Sequence, residues 1–383
     1  MNTCRHSLIF GLSYALDIAG KNNLSHSKST AYLSVMIGRE LGLDEDSVLD
    51  LYNAALLHDI GLSNSYDIRQ HCIDGEIMLK ELPLPESIAK DVYYHHEYYN
   101  GSGEFGLSGD SIPIGAQIIS FASTFDDLFG KLSDAYNRNL YLVVQGWLDV
   151  NRELFSRAIV NAFVSLMTRE FFLLDYFSYE TKYTLSDKLV VGDDVHYGND
   201  DILKYANCFA NIIDCRSPFT FSHSQGIAGL AQKAAAYLGY SDDTCNTMYV
   251  AGLLHDIGKL YVSVDILHKK DKLTTEERFE INKHPYYTRK ILGQIRGFEA
   301  VVNCAANHHE KLDGSGYPYC LPGDRLGELD KIMAICDVYQ ALTEERPYRG
   351  KLPPEKVWGI IDEMTSSNHL DKLLTSRLKK AFS

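Results

Sequence analysis

Residues 308–318 read H-H-E-K-L-D-G-S-G-Y-P, and residues 253–259 read L-L-H-D-I-G-K. These stretches combine two adjacent histidines, a His-Asp dipeptide and a nearby lysine. Imidazole and carboxylate groups are ligands that first-row transition metals accept. Further residues of these types occur at regular intervals, and the candidate ligands are His223, His255, Asp256, His284, His308, His309 and Asp337. Seven such residues exceed the needs of one ion, so the set indicates two ions bridged by a carboxylate, for which Asp256 is the candidate.

The same histidine spacings occur earlier in the chain. In each copy 32 residues separate the first two histidines and 24 residues separate the third from the fourth. Ten of the fourteen histidines fall on this repeat, and residues 95–105, H-H-E-Y-Y-N-G-S-G-E-F, correspond to residues 308–318. The candidate ligands of the first copy are His26, His58, Asp59, His71, His95 and His96. An internal repeat of this kind predicts two similar structural modules.

The first copy lacks two charged groups that the second copy has. Leu62 stands at the position of Lys259, and Ser123 stands at the position of Asp337. A residual metal site in the first copy remains open, since its histidines and Asp59 are present. We do not expect full catalysis there.

Composition limits the functions that the chain can have. A net charge of −14 argues against binding polymeric nucleic acid, which needs a basic face. A small anionic ligand is still compatible, because metal ions and a few local bases can invert the potential inside a cleft. No apolar run reaches the ~18–20 residues that a membrane helix needs. The eight cysteines form no C-x-x-C pair, which is typical of thiols in a reducing cytoplasm, so we expect a cytoplasmic protein that binds no membrane.

The apolar pattern predicts helices nearly throughout, and we therefore expect an all-α fold. His255 and Asp256 are expected in the last turn of a buried helix, with Gly258 in the left-handed conformation that ends it. The segment D-G-S-G-Y-P is expected to be a loop. The 383 residues suit two domains, and the predicted division is 1–130, a helical connector 131–199, and 200–383.

The motifs of residues 200–383 resemble the HD-GYP family of metal-dependent cyclic-dinucleotide phosphodiesterases. The remaining segments that carry the resemblance are R-S-P-F-T-F-S-H at 216–223, H-P at 284–285 and D-V-Y-Q-A-L-T-E-E-R-P-Y-R at 337–349. The resemblance implies two tandem HD-type helical domains, of which the first is degenerate and regulatory or scaffolding. The second is then the catalytic HD-GYP domain.

The resemblance also implies roles for individual residues. His223, His255 and Asp337 would hold one ion, and His284, His308 and His309 would hold the other. Asp256 and Lys259 are the expected catalytic residues. Candidate substrate contacts are Lys259, Gly314, Tyr317, Arg346 and Arg349. Two positions depart from the family: Phe219 replaces a glutamate that some members use for a third ion, and Gln340 replaces a second aspartate.

The predicted function is hydrolysis of c-di-GMP, 3′,3′-cGAMP or both to a linear 5′-phosphorylated dinucleotide. The alternatives are another HD-type nucleotide phosphohydrolase and a non-catalytic sensor that acts through protein partners. Iron or manganese suits a mixed histidine and carboxylate set, while zinc or nickel could substitute by affinity. A homodimer or a signalling-protein partner is a further expectation.

Overall fold

The computed structural model describes residues 3–20, 25–63, 67–130, 139–178, 195–215, 221–344 and 350–382, without the side chains of 63, 139, 214–215 and 221–223. The chain divides into two compact units. We call Leu12–Val195 the amino-terminal unit, and Met1–Gly11 with His196–Ser383 the carboxy-terminal unit. The expected all-α fold is confirmed. Within the described ranges the only strands are β1 (Thr3–Cys4) and β2 (His196–Tyr197), which pair antiparallel in the carboxy-terminal unit.

Helix α1 (Arg5–Gly20) follows β1. Up to residue 195 there follow α2 (His26–Glu40), α3 (Glu45–Leu57), a 3₁₀ turn (Ile60–Ser63), α4 (Ile68–Lys80), α5 (Glu86–Tyr94), a 3₁₀ turn (Gly109–Ser111), α6 (Ile114–Phe129), α7 (Asn139–Asn151), α8 (Arg157–Met167) and α9 (Glu170–Phe177). No helix among the described residues is long and apolar enough to span a bilayer.

The carboxy-terminal unit repeats this order of helices, with two additional short helices after its 3₁₀ turn. Its elements are α10 (Asn199–Cys215), α11 (Phe221–Leu238), α12 (Asp242–Leu254), a 3₁₀ turn (Ile257–Tyr261), α13 (Val264–Leu267), α14 (Thr275–Ile281), α15 (His284–Leu292), α16 (Glu299–Ala306), α17 (Glu328–Thr343), α18 (Pro354–Ser366) and α19 (Lys372–Phe382). In each unit a central helix packs against the helix that precedes the His-Asp dipeptide and against a late helix. These are α2 with α3 and α6, and α11 with α12 and α17.

The helix before the His-Asp dipeptide is built alike in both units. Asp44 caps α3 by accepting from the Ser47 N–H, and Ser241 caps α12 in the same way. Such caps satisfy amide donors that the first turn leaves without partners. Each helix ends at a leucine, and the next residue is the histidine, with φ and ψ of −58° and −31° at His58 and −57° and −33° at His255.

The expected role of Gly258 is wrong. Among the described glycines with positive φ, Gly258 does not appear, and it lies inside the 3₁₀ turn. A Cβ at Gly258 would stand 1.9 Å from the carbonyl oxygen of His284. Gly61 has the same relation to His71, at 2.0 Å. Glycine is therefore required because the turn after the dipeptide lies directly against the backbone of the helix carrying the third histidine.

Candidate metal centres

In the carboxy-terminal unit, the carboxylate of Asp256 lies between two histidines. Its Oδ2 is 3.2 Å from His255 Nε2, and its Oδ1 is 3.2 Å from His284 Nε2. His284 Nε2 is in turn 3.2 Å from His308 Nε2. These four side chains are almost fully buried. Each carboxylate oxygen is thus directed at a different imidazole, which places Asp256 between histidines that could bind two separate ions.

Backbone carbonyls fix the orientation of these imidazoles. In each of three histidines Nδ1 lies 2.6–2.8 Å from the carbonyl oxygen three residues earlier, and these are His255, His284 and His308. Because a carbonyl can only accept, Nδ1 carries the proton and a neutral ring presents its Nε2 lone pair to the cluster. Two neutral Nε2 lone pairs 3.2 Å apart, as in His284 and His308, cannot bond to each other. A cation would relieve this contact, so the residues fit a metal.

The pKa values of three histidines and of Asp256 agree with this fit. At His255, burial lowers the pKa, but the adjacent Asp256 carboxylate outweighs burial and raises that pKa. Burial lowers the pKa of His308 to about 4 and holds the pKa values of His284 and His309 well below the usual value. Burial alone would raise the pKa of Asp256, but nearby His255 and Lys259 outweigh it and keep that pKa well below the usual value. Neutral imidazole and ionised carboxylate are the forms that bind metal ions.

The remaining predicted residues lie around this cluster. Lys259 donates to Asp256 Oδ2, and Asp337 Oδ2 is 3.6 Å from His309 Nδ1. The ring of Tyr317 is centred 4.8 Å from the ring of His309. Gly314 has a φ of +78°, which agrees with the expected loop.

Among the described side chains of this unit, two groupings could each hold an ion. They are His284 with His308 and His309, and His255 with Asp256 and His308, so His308 is common to both. Several predicted residues lie outside the described part of the chain. They are Phe219, the side chain of His223, Arg346 and Arg349. The division of ligands between two ions therefore stays a prediction.

The amino-terminal unit places its histidines in a similar cluster. Asp59 Oδ1 is 3.5 Å from His58 Nε2 and 3.7 Å from His71 Nε2, while Oδ2 is 3.8 Å from His26 Nε2. His26 Nε2 lies 3.2 Å from His58 Nε2, and His71 Nε2 lies 3.2 Å from His95 Nε2. The spacing of the sequence repeat thus corresponds to a repeated arrangement of side chains.

Asp126 is a residue of this site that the sequence analysis missed. Its Oδ2 accepts from His26 Nδ1 at 2.7 Å, and its Oδ1 accepts from the hydroxyl of Tyr176 at 2.7 Å. Burial lowers the pKa of His26, but the hydrogen bond to Asp126 outweighs it and raises that pKa to about 10. The signal was available, because Asp126 aligns with Gln340, the position where the family usually has its second aspartate.

The glutamate after each histidine pair holds a loop. Glu310 accepts from the N–H groups of Tyr319 and Leu321, both at 2.8 Å. Glu97 accepts at 2.6 Å from the amides of the corresponding loop in the amino-terminal unit. The sequence analysis gave these glutamates no role. They fix the loop that follows the paired histidines.

Comparison with known proteins supports a relationship along both copies. A family model described as HD domain matches residues 15–141 and 207–374. The 3′3′-cGAMP-specific phosphodiesterase 1 of Vibrio cholerae is 32% identical, over 94% of this chain and 88% of its own length. The 3′3′-cGAMP-specific phosphodiesterase 3 of the same organism is 30% identical, over 82% of this chain and 67% of its own length.

A solved structure has the same fold. The crystal structure of a cyclic GMP-AMP specific phosphodiesterase of V. cholerae superposes with a TM-score of 0.75 and 24% sequence identity. The match covers 100% of this chain and 98% of that one. The tandem helical architecture is therefore that of a known fold.

Proposed function

This chain belongs to the HD domain family, and we propose from this premise that it is a metal-dependent phosphodiesterase that hydrolyses a cyclic dinucleotide. The carboxy-terminal unit is the catalytic part of the proposal. The observation that supports it most is the position of Asp256, whose two oxygens face His255 and His284 at 3.2 Å each.

The proposed ligands of two divalent ions are His223, His255, Asp256, His284, His308, His309 and Asp337. Bound ions would polarise the phosphoryl oxygen and lower the pKa of water toward neutrality. The proposed ions are iron or manganese, since the ligand set mixes imidazole with carboxylate. Hydrolysis of one ester bond releases the 3′-oxygen and leaves a linear dinucleotide with a 5′-phosphate.

Lys259 is the proposed residue for charge stabilisation at the phosphate. Its side chain is one quarter exposed while its ammonium contacts the nearly buried Asp256. The lysine can therefore reach both the cluster and a ligand at the edge of the site. A fixed positive charge there stabilises the negative charge that develops on the non-bridging oxygens.

We propose further substrate contacts around the same edge. Tyr317 lies against His309, and Gly314 provides the turn of the intervening loop. Arg346 and Arg349 complete the proposed set, because guanidinium groups can pair with phosphate or with guanine edges.

The relatives support 3′3′-cGAMP as the preferred substrate. The two that match over 94% and 82% of this chain are both named 3′3′-cGAMP-specific. A cyclic di-GMP phosphodiesterase of Pseudomonas aeruginosa matches 39% of this chain at 35% identity. Cyclic di-GMP is therefore the competing substrate to test.

The amino-terminal unit has a regulatory or scaffolding role in this proposal. Leu62 places an alkyl chain where the other unit has Lys259, and Ser123 places a hydroxyl where it has Asp337. Without these charges the unit lacks the means to stabilise a reacting phosphate.

The test is chromatography of the products formed from 3′3′-cGAMP and from c-di-GMP by protein loaded with iron or manganese. We expect a linear dinucleotide from 3′3′-cGAMP, formed faster than from c-di-GMP. Binding of both dinucleotides by fully metallated protein without any linear product would contradict the enzyme and favour a sensor.

A further inference from the structure

The proposed hydrolysis leaves the histidine cluster of the amino-terminal unit without a task. We infer that this cluster is a separate transition-metal centre that prefers zinc over manganese and does not hydrolyse phosphate esters. Its ligands are drawn from His26, His58, Asp59, His71, His95 and His96. The inference goes beyond the proposed function and can hold or fail independently of it.

The ring nitrogens of the cluster converge on one carboxylate. His26 Nε2 and His58 Nε2 are 3.2 Å apart, and so are His71 Nε2 and His95 Nε2. Two nitrogens bound to one zinc ion at about 2.1 Å each, with tetrahedral angles, are separated by roughly this distance. Asp59 has an oxygen within 3.8 Å of His26, His58 and His71, so it lies between the two pairs.

The orientation of the rings is fixed from behind. Nδ1 of His58 and Nδ1 of His95 lie 2.8 and 2.6 Å from backbone carbonyl oxygens, which can only accept. Both rings in their neutral form therefore direct Nε2 lone pairs into the cluster. The same arrangement occurs around Asp256 in the carboxy-terminal unit.

The third ring is oriented by a carboxylate and a hydroxyl. Asp126 is fully buried, accepts from His26 Nδ1, and accepts from the buried Tyr176 hydroxyl on its other oxygen. A carboxylate behind a histidine fixes the ring and increases its strength as a metal ligand. Burying that carboxylate is costly unless it is paired. A cation bound at His26 Nε2 would be held by a ring that Asp126 orients through Nδ1. Asp126 is therefore a positioning residue.

The donor set differs from that of the carboxy-terminal unit. Among the described residues, Asp59 is the only carboxylate that faces the Nε2 atoms of the cluster, since Asp126 bonds to Nδ1 of His26 from behind. Ser123, at the position of Asp337, contributes a neutral hydroxyl 3.4 Å from His26 Nε2. The thiol of Cys72 lies within 4.8 Å of ligand atoms of His71 and His95. Imidazole donors suit zinc, copper, iron and nickel, and sulfur donors select zinc, whereas carboxylate donors suit manganese. The lost carboxylate and lysine thus change the preferred metal as well as the chemistry.

The test counts zinc in two variants that differ in the amino-terminal unit. The first carries His255→Ala and Asp256→Ala, and the second carries His58→Ala and Asp59→Ala in addition. Both are stripped with a chelator, reloaded with zinc or manganese, freed of excess metal and analysed by mass spectrometry, with circular dichroism to check folding. We expect the first variant to hold about one zinc ion more than the second, with manganese at least ten-fold weaker.

Positioning by Asp126 has its own readout. Asp126→Ala, in the first variant, should weaken zinc binding roughly 10- to 100-fold, while Asp126→Asn, which keeps an acceptor oxygen, should weaken it less. Asp110→Ala, an exposed change in the same unit, is the matched control and should leave zinc affinity unchanged.

Equal zinc content in the two folded variants would overturn the proposal and would mean that protons occupy the cluster. Tighter binding of manganese than of zinc would overturn the assignment of the preferred metal.

Discussion

Asp59 in the amino-terminal unit lies 3.5–3.8 Å from three imidazole nitrogens, whereas Asp256 in the carboxy-terminal unit lies 3.2 Å from two. Around Asp256 there is a lysine within hydrogen-bonding distance and a second carboxylate near His309. Around Asp59 the corresponding positions hold Leu62 and Ser123. The comparison teaches that one helical frame can keep a ligand cluster while losing the charges that phosphate chemistry needs.

Removing Lys259 should make the carboxy-terminal unit resemble the amino-terminal unit, which has Leu62 at that position and is not expected to hydrolyse phosphate esters. Lys259→Ala is expected to retain bound metal and to lower kcat by ~10²–10³, the usual cost of losing one group that stabilises transition-state charge. Steady-state kinetics together with elemental analysis would measure both quantities. The control is Lys269→Ala, which removes a lysine paired with Glu277 in the same unit and should leave kcat unchanged. Unchanged kinetics in Lys259→Ala would reduce this lysine to a charge at the end of a turn.

The close backbone contact after each dipeptide should be equally intolerant of a methyl group in both units. Gly258→Ala and Gly61→Ala each place a Cβ about 2 Å from a carbonyl oxygen, so the backbone must shift. We expect each to lower the free energy of unfolding by about 1–3 kcal/mol, as overpacking does. Chemical denaturation would measure the loss. Gly359→Ala, in α18 where an added Cβ would meet no atom within 4 Å, is the control and should not destabilise. Normal stability of both test variants would contradict the close approach.

A smaller difference between the units should depend on pH. Burial raises the pKa of Asp91 to about 7. The same repeat position in the other unit is Cys304, a buried thiol whose pKa is raised by burial above its ordinary value. The folded state thus favours the protonated carboxyl. The contribution of Asp91 to stability is largest below the ordinary pKa near 4 and declines as pH rises to about 7.

Asp91→Asn should remove that decline, since an amide does not titrate in this range. Unfolding curves at pH 5 and pH 8 would show the variant gaining stability relative to the wild type at the higher pH. An identical pH dependence of the two proteins would mean that Asp91 is ionised at neutral pH.

The sequence predicted much of this comparison because equal histidine spacings in the two copies indicate the same succession of helices and turns. The repeat located the clusters of both units, and the helical period located the core. Gly258 was misinterpreted because a sequence does not distinguish a glycine needed for positive φ from one needed for close approach. Its actual partner, the carbonyl of His284, is 26 residues away in the chain.

Other features depend on contacts that leave no local pattern. The alignment with Gln340 marked the position of Asp126, but its hydrogen bond with Tyr176, which lies in a different helix, left no pattern in the sequence. Pairing of β1 with β2 involves two residues in each strand, too few to show an alternating period. The loop-holding role of Glu310 was hidden because a glutamate beside two histidines has the chemistry of a ligand.

The central claim is that hydrolysis belongs to the carboxy-terminal unit alone, and product formation from 3′3′-cGAMP by two double variants tests it most directly. His255→Ala with Asp256→Ala should abolish the linear product. His58→Ala with Asp59→Ala should keep its rate of formation within several-fold of the wild type. If the second variant formed no product while it stayed folded and its carboxy-terminal site stayed metallated, the claim would be contradicted.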